Sequence, residues 1–206
     1  LAMITLLLLL GWQLRISFRD QVKTAEISTR NIAAVFEARF DATLRRTDAD
    51  LKAISESLPL EALSQKTVSR YAREVNANLD SRMFDLEEIA GFRIHDANGD
   101  ALYSSDNAHT ERVNIADRNY FRLLRDDPRA GLVFSDVVTS RSVGKQVLII
   151  ARGLHDEYGK FKGVVFGIFN LEYYRTQFQS LNLGAQGIVA LRRSDTHASV
   201  IRNPEQ

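Results

Sequence analysis

An arginine inside an apolar segment is the first residue of this sequence that points to a binding chemistry. Residues 145–154 are rich in Val, Ile and Leu, which predicts a β-strand. Strand alternation places one set of side chains on each face of the sheet: Leu148, Ile150, Arg152 and Leu154 on one, Val147, Ile149 and Ala151 on the other. Because both faces are otherwise apolar, the strand is expected to be central and covered on both sides. A guanidinium on a covered face needs a partner, so Arg152 indicates a binding pocket.

The residues that carry catalysis or bind metals do not form a recognisable pattern. The four histidines are dispersed along the chain: His95, His109, His155 and His197. None has the H-x-x-x-H or H-E-x-x-H spacing of a metal site, so each is expected to be a surface or turn histidine. The sequence has no G-x-S-x-G, no G-x-x-x-x-G-K-[ST] and no G-x-G-x-x-G motif. We therefore expect no catalysis, no metal and no cofactor in this segment.

Composition narrows the class of protein further. The 206 residues include 27 basic and 26 acidic side chains, a formal net charge of +1. A nucleic-acid surface would need a strong basic excess, so no nucleic-acid partner is expected. The absence of cysteine excludes disulfides, thiolate zinc sites and cysteine nucleophiles. A hydrophobic share of 45% and a charged share of 26% are ordinary for a globular protein.

The first residues are strongly apolar. Residues 1–12 contain a run of leucines closed by Trp12, too short for the roughly 20 residues that span a bilayer. We interpret them as the C-terminal part of a truncated transmembrane helix, with Trp12 at the membrane interface. A secretory signal is the alternative, but no A-x-A-like cleavage site follows.

A long helix is expected over residues 13–58. No glycine or proline occurs between Trp12 and Leu58, and apolar or small residues recur at steps of three and four. Pro59 is expected to end the helix. This helix could pack on its own domain or form a dimerising, signalling rod. We expect both, with the half nearer the membrane dimerising and the distal half lying against a sheet.

The remaining chain alternates between helical and strand patterns. The predicted elements are a helix over 61–79, a hairpin with strands 89–95 and 101–104, a polar loop over 105–112, a short helix ended by Asp127-Pro128, an antiparallel three-stranded meander over 131–170, a helix over 171–181 and a last pair of strands, 187–193 and 198–201. In the meander, residues 131–138 are expected to form its first strand. Turns follow at 139–144 and 156–159.

Several short motifs occur along these elements in a fixed order. They are Asp-Arg-x-Tyr-Phe (Asp117, Arg118, Tyr120, Phe121), Ser-Arg at the first turn (Ser140, Arg141), Arg-x-Leu from Arg152, the run from Gly159 to Val165, Tyr173-Tyr174 and a Leu-x-Leu-Gly from Leu181. In this order they resemble the double Cache (PDC-like) sensor domains of bacterial transmembrane receptors, in particular those of proteobacterial diguanylate cyclases and sensor kinases. The resemblance covers roughly residues 15–206.

The resemblance implies an α+β fold, a long N-terminal helix followed by PAS-like antiparallel-sheet modules. Residues 59–181 would form the membrane-distal sensor module. Residues 182–206 would begin an incomplete membrane-proximal module.

The resemblance also implies a ligand site in the distal module, between the sheet and the loop–helix element. It would surround one cavity with six residues: Arg118, Tyr120, Phe121, Ser140, Arg141 and Arg152. Arginines offer bidentate donors to a carboxylate or phosphate, and the aromatic rings form an apolar wall. The alternative is that Tyr120 and Phe121 are core residues and that the arginines pair with Asp117 or Asp136.

One departure from the family concerns the ligand. Amino-acid-sensing members carry an aspartate late in the third meander strand, where it receives the ligand's ammonium group. The corresponding residue here is Ile168, and Asn170 is the nearest polar residue. An isoleucine cannot balance an ammonium, so a small anion such as a carboxylate is the better expectation. An empty pocket is the alternative.

Together these observations predict a periplasmic sensor domain of a bacterial inner-membrane receptor. Its partners would be a small-molecule ligand, the membrane through the N-terminal helix, and a second copy in a homodimer. A catalytic output, such as a diguanylate cyclase or histidine kinase domain, would lie beyond Gln206. The alternatives are a ligand-free dimerising spacer and, third, a secreted enzyme.

Overall fold

The computed structural model describes residues 2–106, 113–141, 144–181, 183 and 187–204, with the side chains of residues 2 and 4–8 left aside. The chain divides into two units, Leu1–Leu44 and Arg45–Gln206. The expected loop over 105–112 therefore falls almost entirely outside the described residues, as do residues 142 and 143 of the first meander turn.

A single helix, α1 (Ala2–Ser57), makes up the whole described part of the first unit and continues into the second. It ends where expected, two residues before Pro59. In the first unit many large apolar side chains of α1 are exposed: Trp12, Leu14, Ile16, Phe18, Val22, Ile27 and Val35. Within the described residues, no helix combines the length and the apolar composition that crossing a membrane requires.

The second unit is built on a six-stranded antiparallel sheet. Its strands are β1 (Ile89–Asp96), β2 (Ala101–Ser104), β3 (Leu132–Phe134), β4 (Val138–Thr139), β5 (Gln146–His155) and β6 (Phe161–Phe169). The order across the sheet is β2-β1-β6-β5-β3, and β4 also pairs with β5. The predicted hairpin and meander are confirmed, with one correction. The first meander strand is broken into β3 and β4 around Ser135.

The two faces of the sheet are covered by different helices. On one face lies an apolar cluster that includes Tyr120, Phe121 and Leu124 of α3 (Asn119–Asp126). On the other face the distal part of α1 approaches so closely that a Cβ on Gly167 would lie 3.2 Å from the Thr47 methyl group. As expected, this half of the helix lies against the sheet. One face of the sheet is therefore covered by α3 and the other by the distal part of α1.

Two helix predictions need adjustment. The helix predicted over 61–79 is a short 3-10 turn, Leu60–Ala62, followed by α2 (Val68–Ser81). The helix is not continuous over this range. Between the two elements the Thr67 hydroxyl donates to the backbone carbonyls of Glu61 and Ser64 and closes a turn. The last helix, α4 (Leu171–Gln179), ends two residues earlier than predicted.

A separate two-stranded antiparallel sheet follows α4. It consists of β7 (Val189–Arg192) and β8 (Ser199–Asn203), which confirms the predicted last pair of strands. Asn203 donates from its side-chain amide to the carbonyl of Phe178 at 3.3 Å, which ties β8 to the end of α4.

Candidate functional site

The loop that leads into α3 is fixed on the β1–β2 hairpin. The Asn114 amide donates to Asp100 Oδ1 at 2.8 Å, while its oxygen accepts the Ala116 N–H at 2.9 Å. The Ile115 N–H donates to the carbonyl of Gly99 at 2.9 Å. Gly99 has a φ of +82°, a conformation that favours glycine in a tight hairpin. The hairpin therefore positions the Asp-Arg-x-Tyr-Phe element.

Tyr120 and Phe121 begin α3 with their rings packed on the sheet. Tyr120 is 5% exposed and meets Phe166 edge-on at 6.0 Å, and Phe121 is 1% exposed and meets Phe161 at 5.5 Å. Both rings belong to the core of this face.

The Tyr120 hydroxyl is the polar end of this aromatic pair. Burial raises the pKa of the Tyr120 hydroxyl, while the charges of Arg118 and Arg141 act in the opposite direction. The phenol is therefore neutral at physiological pH, and it lies within the field of both guanidiniums. It makes no hydrogen bond to the part of the chain that the structure describes.

Arg118 caps the N-terminus of α3 and reaches β4. Its Nη2 donates to the carbonyl of Thr139 at 3.1 Å. No carboxylate among the described residues forms an ion pair with it. A guanidinium carries five N–H donors, so most of its capacity remains for another group.

Arg141 is fully engaged with the loop before α3. Its Nη1 and Nη2 donate to the two carboxylate oxygens of Asp117 at 2.8 and 2.7 Å, and Nη1 also donates to the carbonyl of Asn114. Both side chains are exposed, at 42% and 55%. The hydrogen bonds from Arg141 lower the pKa of Asp117 to about 2. This pair fastens the loop to the turn after β4.

Ser140 shapes that turn. Its N–H donates to the carbonyl of Lys145 at 2.8 Å, and its carbonyl accepts the N–H of Gly144 at 2.9 Å. The residue is buried at 8% exposure. Ser140 thus holds the backbone between Thr139, which binds Arg118, and Arg141, which binds Asp117.

Arg152 lies on the opposite face, so its expected place around one cavity with the other five residues is corrected. Its Nε donates to Asp48 Oδ1 of α1 at 2.6 Å, and Lys52 approaches the other oxygen at 3.4 Å. Burial alone would raise the pKa of Asp48, but the hydrogen bond and charge of Arg152, helped by Lys52, lower it. The partly buried guanidinium has the partner that its position required. That partner, Asp48, belongs to the long helix α1.

Two polar residues of β1 that were not assigned to the site from the sequence lie on the α3 face, and for His95 the expected surface or turn position is wrong. Arg93 pairs across the sheet with Phe166, and the His95 ring lies 5.2 Å from the Phe166 ring. They are only 3% and 2% exposed. The signal was available, because Arg93 and His95 alternate with the apolar Phe92 and Ile94 just as Arg152 alternates with its neighbours.

Both buried groups have partners. Arg93 Nη2 binds Asp106 at 2.6 Å, and burial lowers the pKa of Arg93 while Asp106 acts against that shift. The Nδ1 of His95 lies 3.0 Å from the carbonyl of Gly99. Burial lowers the pKa of His95 to about 4, so the ring is neutral at physiological pH and donates that bond. Phe166 lies next to both residues in the sheet and also contacts the Tyr120 ring.

Comparison with known proteins identifies the fold. No protein-family model and no curated protein matches the chain. The extracellular domain of rpHK1S-Z16, designated a histidine kinase, is 23% identical with a TM-score of 0.58; the match covers 84% of this chain and 73% of that one. The ligand-binding domain of the Campylobacter jejuni chemoreceptor Tlp3, in complex with L-valine, is 13% identical with a TM-score of 0.58 over 81% of this chain and 65% of that one. The sensor domain of the V. cholerae histidine kinase DctB is 20% identical with a TM-score of 0.57 over 71% and 56%.

The chain therefore has the α+β fold of the extracytoplasmic, Cache-like (PDC-like) sensor domains of bacterial receptors. At these identities the likeness concerns the fold. The chain also spans less than two thirds of the Tlp3 and DctB domains that it matches. These neighbours are sensor domains and not catalytic ones.

Proposed function

We propose that this chain is the extracytoplasmic ligand-binding region of a bacterial membrane receptor and that Arg118 binds a small anion there. The observation that carries the proposal is the state of Arg118, which donates one hydrogen bond to a backbone carbonyl and pairs with no described carboxylate. It lies beside the neutral Tyr120 hydroxyl. The fold supports a sensing role, since the Tlp3 domain that shares it was solved with L-valine and with isoleucine.

The local charge balance favours an anion. Asp117 and Arg141 form a two-point ion pair and cancel each other. Arg118 then contributes the uncompensated positive charge at the start of α3, where the helix dipole also favours a negative group. A carboxylate at this point would receive charge-assisted hydrogen bonds from the guanidinium and a further one from the Tyr120 hydroxyl.

The surroundings of Ile168 disfavour an amino-acid ligand. Ile168 is 1% exposed and belongs to the apolar cluster that also contains Tyr120 and Phe166. A ligand ammonium would find no counter-charge at this position and would lose its hydration. We therefore propose a small carboxylate without an ammonium group.

Signal transmission is proposed to run through α1. The Arg152–Asp48 pair joins the sheet to the distal part of that helix, which gives Arg152 a coupling role in place of the ligand-binding role expected from the sequence. The exposed apolar side chains of the first unit would provide the surfaces for the membrane anchor and the homodimer. The output domain, a diguanylate cyclase or a histidine kinase, would be cytoplasmic, and this segment itself would catalyse nothing.

A thermal-shift screen of small carboxylates on the full chain tests the proposal. A ligand present at a hundred times its Kd stabilises the folded state by about 2.7 kcal/mol, a readily measured rise in melting temperature. Arg118→Ala should remove the rise. Arg122→Ala is the matched control, because Arg122 lies one turn further along α3 and is exposed. If Arg118→Ala leaves the affinity unchanged, the site assignment is wrong.

A ligand-free dimerising spacer is the second candidate. The packing of Tyr120 and Phe121 in the core and the exposed apolar side chains of α1 both favour it. Sedimentation in mild detergent separates the possibilities. A dimer that no carboxylate stabilises supports the spacer, and a strict monomer argues against dimerisation in either account.

A further inference from the structure

The break between β3 and β4 combines a one-residue register shift against β5 with an exchange of hydrogen-bond acceptors at Ser135. In a regular antiparallel pair, two opposed residues exchange both of their backbone hydrogen bonds. The Ser135 N–H donates to the Ile149 carbonyl at 2.9 Å, which is the first of these bonds. The Ile149 N–H, however, donates to Ser135 Oγ at 2.9 Å. The serine side chain thus replaces its own backbone carbonyl in the ladder.

The displaced carbonyl of Ser135 is bound by an arginine of the other sheet. Arg193 Nη1 donates to it at 2.7 Å and lies 3.5 Å from the carbonyl of Phe134. Arg193 directly follows β7. Its Nε and Nη2 are held by the two carboxylate oxygens of Asp195 at 2.9 and 2.6 Å. Asp195 therefore orients the guanidinium so that Nη1 points at Ser135.

This exchange lies on the same short strand segment as the candidate site. Thr139, four residues after Ser135, is in β4 and accepts the hydrogen bond from Arg118. A shift of the backbone at Ser135 would move β4, because only three residues separate Ser135 from Thr139. The edge strand thus has the candidate site at one end and the β7–β8 sheet at the other.

We propose that Ser135 is a two-position switch and that Arg193 is the positioning residue that sets it. With Arg193 bound, the Ser135 carbonyl is held out of the ladder and Oγ takes its place. With Arg193 withdrawn, the carbonyl returns to the Ile149 N–H, while β4 keeps its one-residue register shift relative to β3. Each position satisfies the Ile149 N–H, so neither state leaves this buried donor unpaired, as a bistable element requires.

The switch couples the candidate site to the β7–β8 sheet. Since β4 carries Thr139, the two positions present different backbone geometry to Arg118. A ligand that prefers one geometry changes the occupancy of the Arg193–Ser135 bond, and by thermodynamic linkage Arg193 changes the ligand's affinity. This ligand-dependent half rests on the proposed function. The exchange of acceptors at Ser135 does not.

Hydrogen exchange at the Ile149 amide tests the switch without a ligand. In Ser135→Ala the amide loses Oγ while Arg193 still holds the carbonyl away, so exchange should accelerate by roughly tenfold. Adding Arg193→Gln frees the carbonyl to replace Oγ, so the double variant should return to nearly the wild-type rate. Arg192→Gln, on the adjacent exposed residue of β7, is the control and should give no rescue.

The outcomes separate the two halves of the proposal. A double variant that exchanges as fast as Ser135→Ala, or faster, overturns the switch, because a simple structural clamp predicts additive losses. If Ser135→Ala fails to fold, recovery of folding on adding Arg193→Gln is the expected rescue and its absence overturns the proposal.

For a carboxylate that binds through Arg118, Arg193→Gln should change the Kd at least about threefold and Arg192→Gln should not. Equal affinities overturn the coupling. If no carboxylate depends on Arg118, the proposed function fails while the exchange measurement still decides the switch.

Discussion

Removing the charge of Asp106 should destabilise the second unit through the buried Arg93. Arg93 is 3% exposed and its ion pair with Asp106 is 2.6 Å long, whereas the Asp106 side chain is 38% exposed. In Asp106→Asn the guanidinium stays buried and loses its counter-charge. Breaking a fully buried pair costs about 3–5 kcal/mol, and the partial exposure of Asp106 reduces that through solvent screening. We expect a loss of about 2 kcal/mol in the free energy of unfolding.

Urea unfolding monitored by circular dichroism measures this loss, with two comparisons. Asp126→Asn breaks an exposed pair of similar length, 2.8 Å to Arg125, and should have no measurable effect. Arg93→Met combined with Asp106→Asn removes both charges and should be more stable than Asp106→Asn alone, because no uncompensated charge remains. A cost for Asp106→Asn no larger than that of Asp126→Asn would refute the reasoning, as would a double variant at least as unstable as Asp106→Asn.

Three further perturbations follow from the site. The pKa of buried His95 is about 4 in the folded protein and 6.5 ordinarily, so the unfolded chain binds more protons between these pH values. The free energy of unfolding should therefore fall by up to about 3 kcal/mol from pH 6.5 to pH 4. His95→Gln should flatten this pH profile in urea titrations. The pKa of Asp117 is about 2 in the folded protein against an ordinary 3.8, so the stabilisation from Arg141 is complete above pH 3.8 and is lost as the pH falls towards 2. Asp117→Asn should remove this acid-dependent loss of stability. An unchanged profile of stability against pH would contradict it. Gly99→Ala places a Cβ 2.6 Å from the Ala116 nitrogen at a φ of +82°, so it should lower the melting temperature and weaken carboxylate binding, and a neutral result would show that the hairpin does not hold the loop.

Local patterns in the sequence predicted most of the elements that surround the site. The alternation in β5 assigned Arg152 to the face opposite Val147, Ile149 and Ala151, and the structure confirms this. The identity of its partner was not accessible in the same way. Asp48 is 104 residues away in the chain, and only the docking of α1 on the sheet brings the two together. Grouping Arg152 with Arg118 failed for that reason.

The break at Ser135 illustrates a second limit. The segment before it is continuous in composition and predicts one strand, because β-propensity describes single residues. The interruption depends on a serine hydroxyl that replaces a carbonyl and on Arg193, which is 58 residues further along. The missed pair Arg93 and His95 is different, since alternation alone would have drawn attention to them. Alternation assigns side chains to one face of the sheet or the other, but it does not predict on which face a ligand would bind.

The most direct test of the central claim is a calorimetric titration of one carboxylate against the wild type, Arg118→Ala and Arg122→Ala. A charge-assisted hydrogen bond contributes about 1.5–3 kcal/mol, so Arg118→Ala should weaken binding at least tenfold while Arg122→Ala binds as the wild type does. Equal affinities in all three proteins would contradict the assignment of Arg118 as the anion-binding residue.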